Sequence, residues 1–173
     1  MANYAPSTRA RIADLVRGMQ VDTGIKLNTV SMIQTQQEDF NVYGRILLLN
    51  LMCEVTTDFA ADATLFQYTY SSATHTPAIV STKLGLVSLS IASITIGGRI
   101  IWTGGAVGGT THVSTNTTGG ISDLPCVQPM IVGYKDGVGT IGHLTTTHDQ
   151  TAGAGYHSLF YVPMSDGAYV TAV

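Results

Sequence analysis

From Gln128 to Val173 apolar and polar residues alternate in three or four short runs separated by Gly, Asp and Pro. A period of two closed by turn residues predicts β-strands, and the last run, Ala168 to Val173, predicts a C-terminal strand held within a sheet. Upstream, Leu65, Gln67 and Thr69 alternate with Phe66, Tyr68 and Tyr70, so one strand carries three aromatics on one face. Such a face fits cross-strand packing or an interface between subunits. Between Phe40 and Thr57 the pattern predicts a long strand pair including Val42, Arg45, Leu47, Leu49, Leu51 and Val55. The unbroken apolar run Ile46 to Leu49 predicts burial on both sides, by a second sheet and by a neighbouring subunit.

Further elements follow from turn chemistry. Ile79 to Thr95 reads as one or two strands of small β-branched residues, and Gly97-Gly98 as a tight turn before Arg99 to Thr103, where Ile100 and Trp102 share a face. Lys135-Asp136-Gly137 reads as a hairpin turn with glycine at the position of positive φ. Gly104 to Gly120, rich in glycine and threonine and containing His112, reads as a long loop suited to contact. At the start, Ser7 or Thr8 could cap a short helix carrying Ile12, Leu15, Val16 and Met19, or the segment could lie extended on a partner. About eight to ten strands result, enough for a sandwich or barrel. The expected fold is therefore all-β, an antiparallel β-sandwich or jelly-roll-like barrel over residues 26–173, preceded by an N-terminal arm or short helix over 1–25.

Composition sharpens this reading. The chain has 173 residues, of which 11% are charged, and a formal charge of -3. So few charges leave solubility to hydroxyls and amides, and suit a surface largely covered by neighbouring subunits. Eight Lys and Arg without a basic run give no electrostatic footprint for nucleic acid. No run reaches the length of about 18 apolar residues that a membrane helix needs, and the N-terminus has no continuous apolar stretch of a secretion signal. Arg9, Arg11 and Arg17 concentrate positive charge in the N-terminal segment, where they could meet an acidic patch or simply face solvent.

Candidate chemistry is sparse. His143, His148 and His157, with Asp149 beside them, could hold a metal if the strand register brought them together. Strand alternation instead puts His143 and His148 on opposite faces, and surface or hydrogen-bonded histidines are the simpler expectation. His75 and His112 stand alone. Cys53 and Cys126 read as two buried thiols, with a disulfide left open. There is no Gly-x-Ser-x-Gly elbow and no phosphate loop, and carboxylates such as Asp58, Asp62, Asp123, Asp136, Asp149 and Asp166 lie mostly in turns. An enzyme is not expected, and neither a cofactor nor a metal is assigned.

One resemblance is carried by Asn41-Val42-Tyr43-Gly44-Arg45-Ile46-Leu47 together with Gly139 to Thr145, Gln150 to Ala154, Tyr156 to Pro163 and Asp166 to Ala168. In strand and turn texture these segments resemble a group of small β-rich virion proteins of tailed bacteriophages. The resemblance implies a capsid decoration or cement protein on the virion's capsid surface, made in the host cytoplasm. It also implies self-association, a trimer where it sits on a capsid threefold, and a major capsid protein as partner. Expected interface residues are Arg9, Arg11, Arg17, Phe66, Tyr68, Tyr70, Trp102 and His112. A tail-associated receptor- or glycan-binding module using Gly104 to Gly120 is the first alternative. The second is a metal-dependent, cupin-like enzyme, which requires a bound metal and convergence of His143, His148 or His157 with a carboxylate.

Overall fold

The computed structural model describes residues 19–23, 26–27, 36–62, 64–85, 88, 90–102, 112–114 and 129–173. The described residues form twelve strands and no helix, arranged as two antiparallel sheets packed into a β-sandwich. The strands are β1 Met19–Asp22, β2 Lys26–Leu27, β3 Gln37–Tyr43, β4 Ile46–Thr57, β5 Phe66–Ser72 and β6 Ile79–Lys83. They continue with β7 Arg99–Ile101, β8 His112–Ser114, β9 Met130–Val132, β10 Val138–Thr145, β11 Ala154–Pro163 and β12 Tyr169–Ala172. One sheet runs β1-β11-β4-β7-β8, with β2 added to β11 and β9 to β4; the other runs β12-β3-β10-β5-β6. No described helix is long and apolar enough to cross a membrane.

The inner faces supply the core. Phe40 and Val42 of β3, Phe66 and Tyr68 of β5 and Ile141 of β10 meet Ile46, Leu48, Leu51 and Val55 of β4 and Leu159 and Tyr161 of β11. Trp102 closes one side, donating from Nε1 to the Leu84 carbonyl at 2.8 Å while its backbone amide reaches the Leu51 carbonyl. The aromatic face read on β5 thus packs inside the chain, but Gln67 and Thr69 on its other side are buried as well.

Two β-bulges set which residues enter this core. Along the β4–β11 pair, Phe160 faces Asn50 but Tyr161 faces Leu48, so Leu49 is an extra residue. That single insertion switches the inward parity from Ile46 and Leu48 to Leu51, Cys53 and Val55. Burial of the run Ile46 to Leu49 is correspondingly one-sided: Ile46 and Leu48 are fully buried, Leu47 and Leu49 only partly. The second bulge, between β3 and β10, places Asp39 and is described with the site below.

Several predicted connections change character. β3 and β4 are not a pair: they lie in opposite sheets, joined by a corner at Gly44, whose φ of 75° and close contact with Ser165 and Ala168 exclude a side chain. Lys135-Asp136-Gly137 likewise joins strands of opposite sheets, and the positive φ of 61° belongs to Asp136. The Gly97-Gly98 turn is as expected, with Gly97 at φ 81° and the Gly98 amide donating to the Thr95 carbonyl. Met19–Asp22, inside the predicted arm, is an edge strand on β11, so the sandwich takes in the end of that segment. β8 interrupts the predicted loop by pairing with β7. Met19, assigned to the proposed helix, is in a strand; residues 1–18, which hold the rest of that helix, and most of Gly104 to Gly120 lie outside the described residues.

Candidate functional site

Among the described residues, three chemistry-bearing side chains converge between the two sheets. His143 lies on β10 and His157 on β11, so the two imidazoles approach from opposite layers. Their rings stack with centroids 4.5 Å apart and planes 18° from parallel. Asp39 Oδ2 is 2.6 Å from His143 Nδ1, and Asp39 Oδ1 is 3.9 Å from His157 Nε2. All three side chains are sealed from solvent.

Each position has a backbone cause. On β10, alternation turns Ile141, His143 and Thr145 inward. On β11, His157 faces inward beside Leu159 and sits opposite Cys53 of β4. Alternation on β3 turns Phe40 and Val42 inward and would turn Asp39 out. Instead Ile141 faces Phe40 while Gly142 faces Glu38, leaving Asp39 as the extra residue of a bulge and aimed into the core beside Phe40. Gly142 makes this approach possible, because a Cβ there would fall well inside contact distance of the Gln37 carbonyl oxygen and 2.9 Å from its carbon.

The surroundings order the cluster. Tyr68 Oη is 3.1 Å from His157 Nδ1, which fixes one nitrogen of that ring and leaves Nε2 toward Asp39. Phe66 stacks against both imidazoles, 5.3 Å from His143 and 6.1 Å from His157. Burial, followed by the charges of Asp39 and Glu54, pushes the Cys53 thiol far up and keeps it protonated. Burial likewise raises the Tyr68 phenol, with Cys53 and Asp39 adding to the effect, so it remains a neutral hydrogen-bonding group. The ensemble can hold a proton or a cation between a carboxylate and two imidazoles. As it stands it is closed to a substrate.

The residues singled out from the sequence fall elsewhere or play other parts. Phe66, Tyr68, Tyr70 and Trp102 are all buried within the chain, so their assignment to a subunit interface is corrected: cross-sheet packing consumes their apolar surface. His148 is exposed and outside the cluster; β10 ends at Thr145, so it is the end of the strand, and not alternation along it, that parts His148 from His143. Arg9, Arg11 and Arg17 lie outside the described residues, and of His112 only the backbone, in β8, is described. Cys53 is a buried free thiol. Asp39 was not read from the sequence at all; Gly142, paired with the neighbouring Glu38 and immediately before His143, is the one local sign of a bulge.

A second concavity of about 350 Å³ opens between β6 and β9, lined by Tyr70, His75, Ile79, Met130, Ile131 and Tyr134 among others. Its lining contains no carboxylate to work with His75, which bonds the Pro77 carbonyl at 2.9 Å. Fold and site together define an antiparallel β-sandwich with a carboxylate–imidazole cluster enclosed between its sheets. The chain matches no protein-family model, no curated protein and no solved structure.

Proposed function

We propose that the chain is a virion structural protein of a tailed bacteriophage, a decoration or cement subunit that trimerises on the capsid surface and bridges units of the major capsid protein. The observation carrying this reading is the exposure of large apolar side chains on a sparsely charged sandwich. Val80 is 80% exposed, Ile96 61% and Ile131 58%, in a chain with 11% charged residues. Apolar surface of this kind gains from burial against another subunit, at roughly 25 cal/mol per Å². The resemblance of residues 41–47, 139–145, 150–154, 156–163 and 166–168 to small phage virion proteins points the same way. Bridging several capsomers at once makes each subunit's weak contacts act together, so that shell expansion must break them in concert.

The metal-enzyme alternative gains the convergence it required, in Asp39, His143 and His157, but their complete burial gives a substrate no approach. Reconstruction of the intact particle by electron cryomicroscopy tests the proposal. Many symmetric copies over the head are expected; density confined to the tail, or no copy in the particle, would overturn it.

A further inference from the structure

We propose that Asp39, His143 and His157 bind a divalent transition-metal ion of the zinc class inside the sandwich, as a structural clamp between the two sheets. The ligand atoms all lie within 4.8 Å of one another. In a tetrahedral site with zinc bonds of about 2.0–2.1 Å, neighbouring ligand atoms stand about 3.4 Å apart. His157 Nε2 stands 3.9 Å from Asp39 Oδ1, near that value, whereas His143 Nδ1 and Asp39 Oδ2 are at the hydrogen-bond distance of 2.6 Å and must part to admit an ion. One carboxylate and two imidazoles supply three of the four donors of a tetrahedral ion, and a water would complete the set.

The surroundings favour a built site over an accident of packing. The bulge at Gly142 departs from regular pairing and thereby turns a carboxylate into the core, where a divalent cation offsets its charge. Tyr68 occupies His157 Nδ1, the outer-shell contact that orients a metal-binding imidazole through its other nitrogen. Ligands come from β3 and β10 of one sheet and β11 of the other, so an ion would tie the layers together. For the ion to enter, the proton between Asp39 Oδ2 and His143 Nδ1 must leave that line, to His143 Nε2 or to solvent, that contact must widen from 2.6 Å, and the stacked rings must tip so that both nitrogens face one point.

Because the site is sealed, loading accompanies folding, and the test follows that route. The full chain is unfolded in denaturant with chelator, exchanged into chelator-free denaturant, refolded with Zn²⁺ or with none, and dialysed. Metal content, melting temperature and, with Co²⁺ in place of Zn²⁺, the visible absorption of a tetrahedral ion are then measured. One equivalent of retained zinc is expected, with melting raised by about 10 °C when zinc is present at ~1,000 times its Kd. Asp39→Asn and His157→Gln should abolish retention, whereas His148→Ala, at an exposed position, should not. Wild-type protein that retains no zinc and shows no cobalt band would overturn the proposal without reliance on any variant folding. Retention undiminished in Asp39→Asn or His157→Gln would overturn it equally. This outcome is independent of where the chain sits in a particle.

Discussion

Replacing Gly142 by Ala tests whether the bulge that turns Asp39 inward is held by close backbone approach. The new methyl would meet the Gln37 carbonyl, a backbone group that cannot rotate away, so β3 and β10 must separate locally. Losing about two ladder hydrogen bonds costs roughly 2 kcal/mol. Misaligning the buried Asp39–His143 bond, a charge-assisted one, adds roughly 1.5–3 kcal/mol. The expected loss is therefore about 3.5–5 kcal/mol, the range of severe overpacking combined with a broken buried pair. Urea unfolding, followed by Trp102 fluorescence and far-ultraviolet circular dichroism, gives the value if the two probes coincide. With a slope near 2.5 kcal/mol per M, the midpoint should fall by about 1–2 M. Gly167→Ala is the matched control: its φ is 72° but no atom lies within 4 Å of the added methyl, so only the left-handed backbone penalty of about 1 kcal/mol applies. A Gly142→Ala protein no less stable than Gly167→Ala would refute the reasoning.

Three further outcomes follow from named contacts. Trp102→Phe should lower stability by about 1–3 kcal/mol by removing the bond to the Leu84 carbonyl, measured by the same urea titration with circular dichroism; a change below about 0.5 kcal/mol would count against it. In a Cys126→Ser background, Cys53 should resist a thiol reagent at pH 8 in the folded protein and react fully in urea, because burial both shields it and raises its pKa; rapid labelling of native protein would contradict the buried position. The Asp62 carboxylate is held below its usual pKa of 3.8 by the Thr151 hydroxyl first and the Thr151 amide second. A depressed folded pKa gives stability that is present above the unfolded value and lost as pH falls through the folded one. Asp62→Asn should therefore flatten the acid side of the stability curve below about pH 4, and an unchanged acid limb would refute the role assigned to those bonds.

Local pattern determined the elements of this protein more fully than their arrangement. Alternation in Phe66 to Tyr70 and in Tyr156 to Val162 and the Gly97-Gly98 turn were enough to indicate an all-β sandwich or barrel, because side chains on a strand point alternately whatever the strand pairs with. Pairing is a different matter. That β3 and β4 part into opposite sheets depends on the Gly44 corner packing against Ser165 and Ala168, residues far along the chain. The aromatics Phe66, Tyr68 and Tyr70 read equally as interface or core, and only the second sheet, closing over them, made them core. The cluster was half visible: His143 and His157 stood on neighbouring predicted strands, but no spacing linked them to Asp39, more than a hundred residues before His143. Its alternation pointed outward beside Phe40. Tertiary structure reversed that direction through a bulge, and a bulge is a mismatch between two strands that neither strand's own sequence contains.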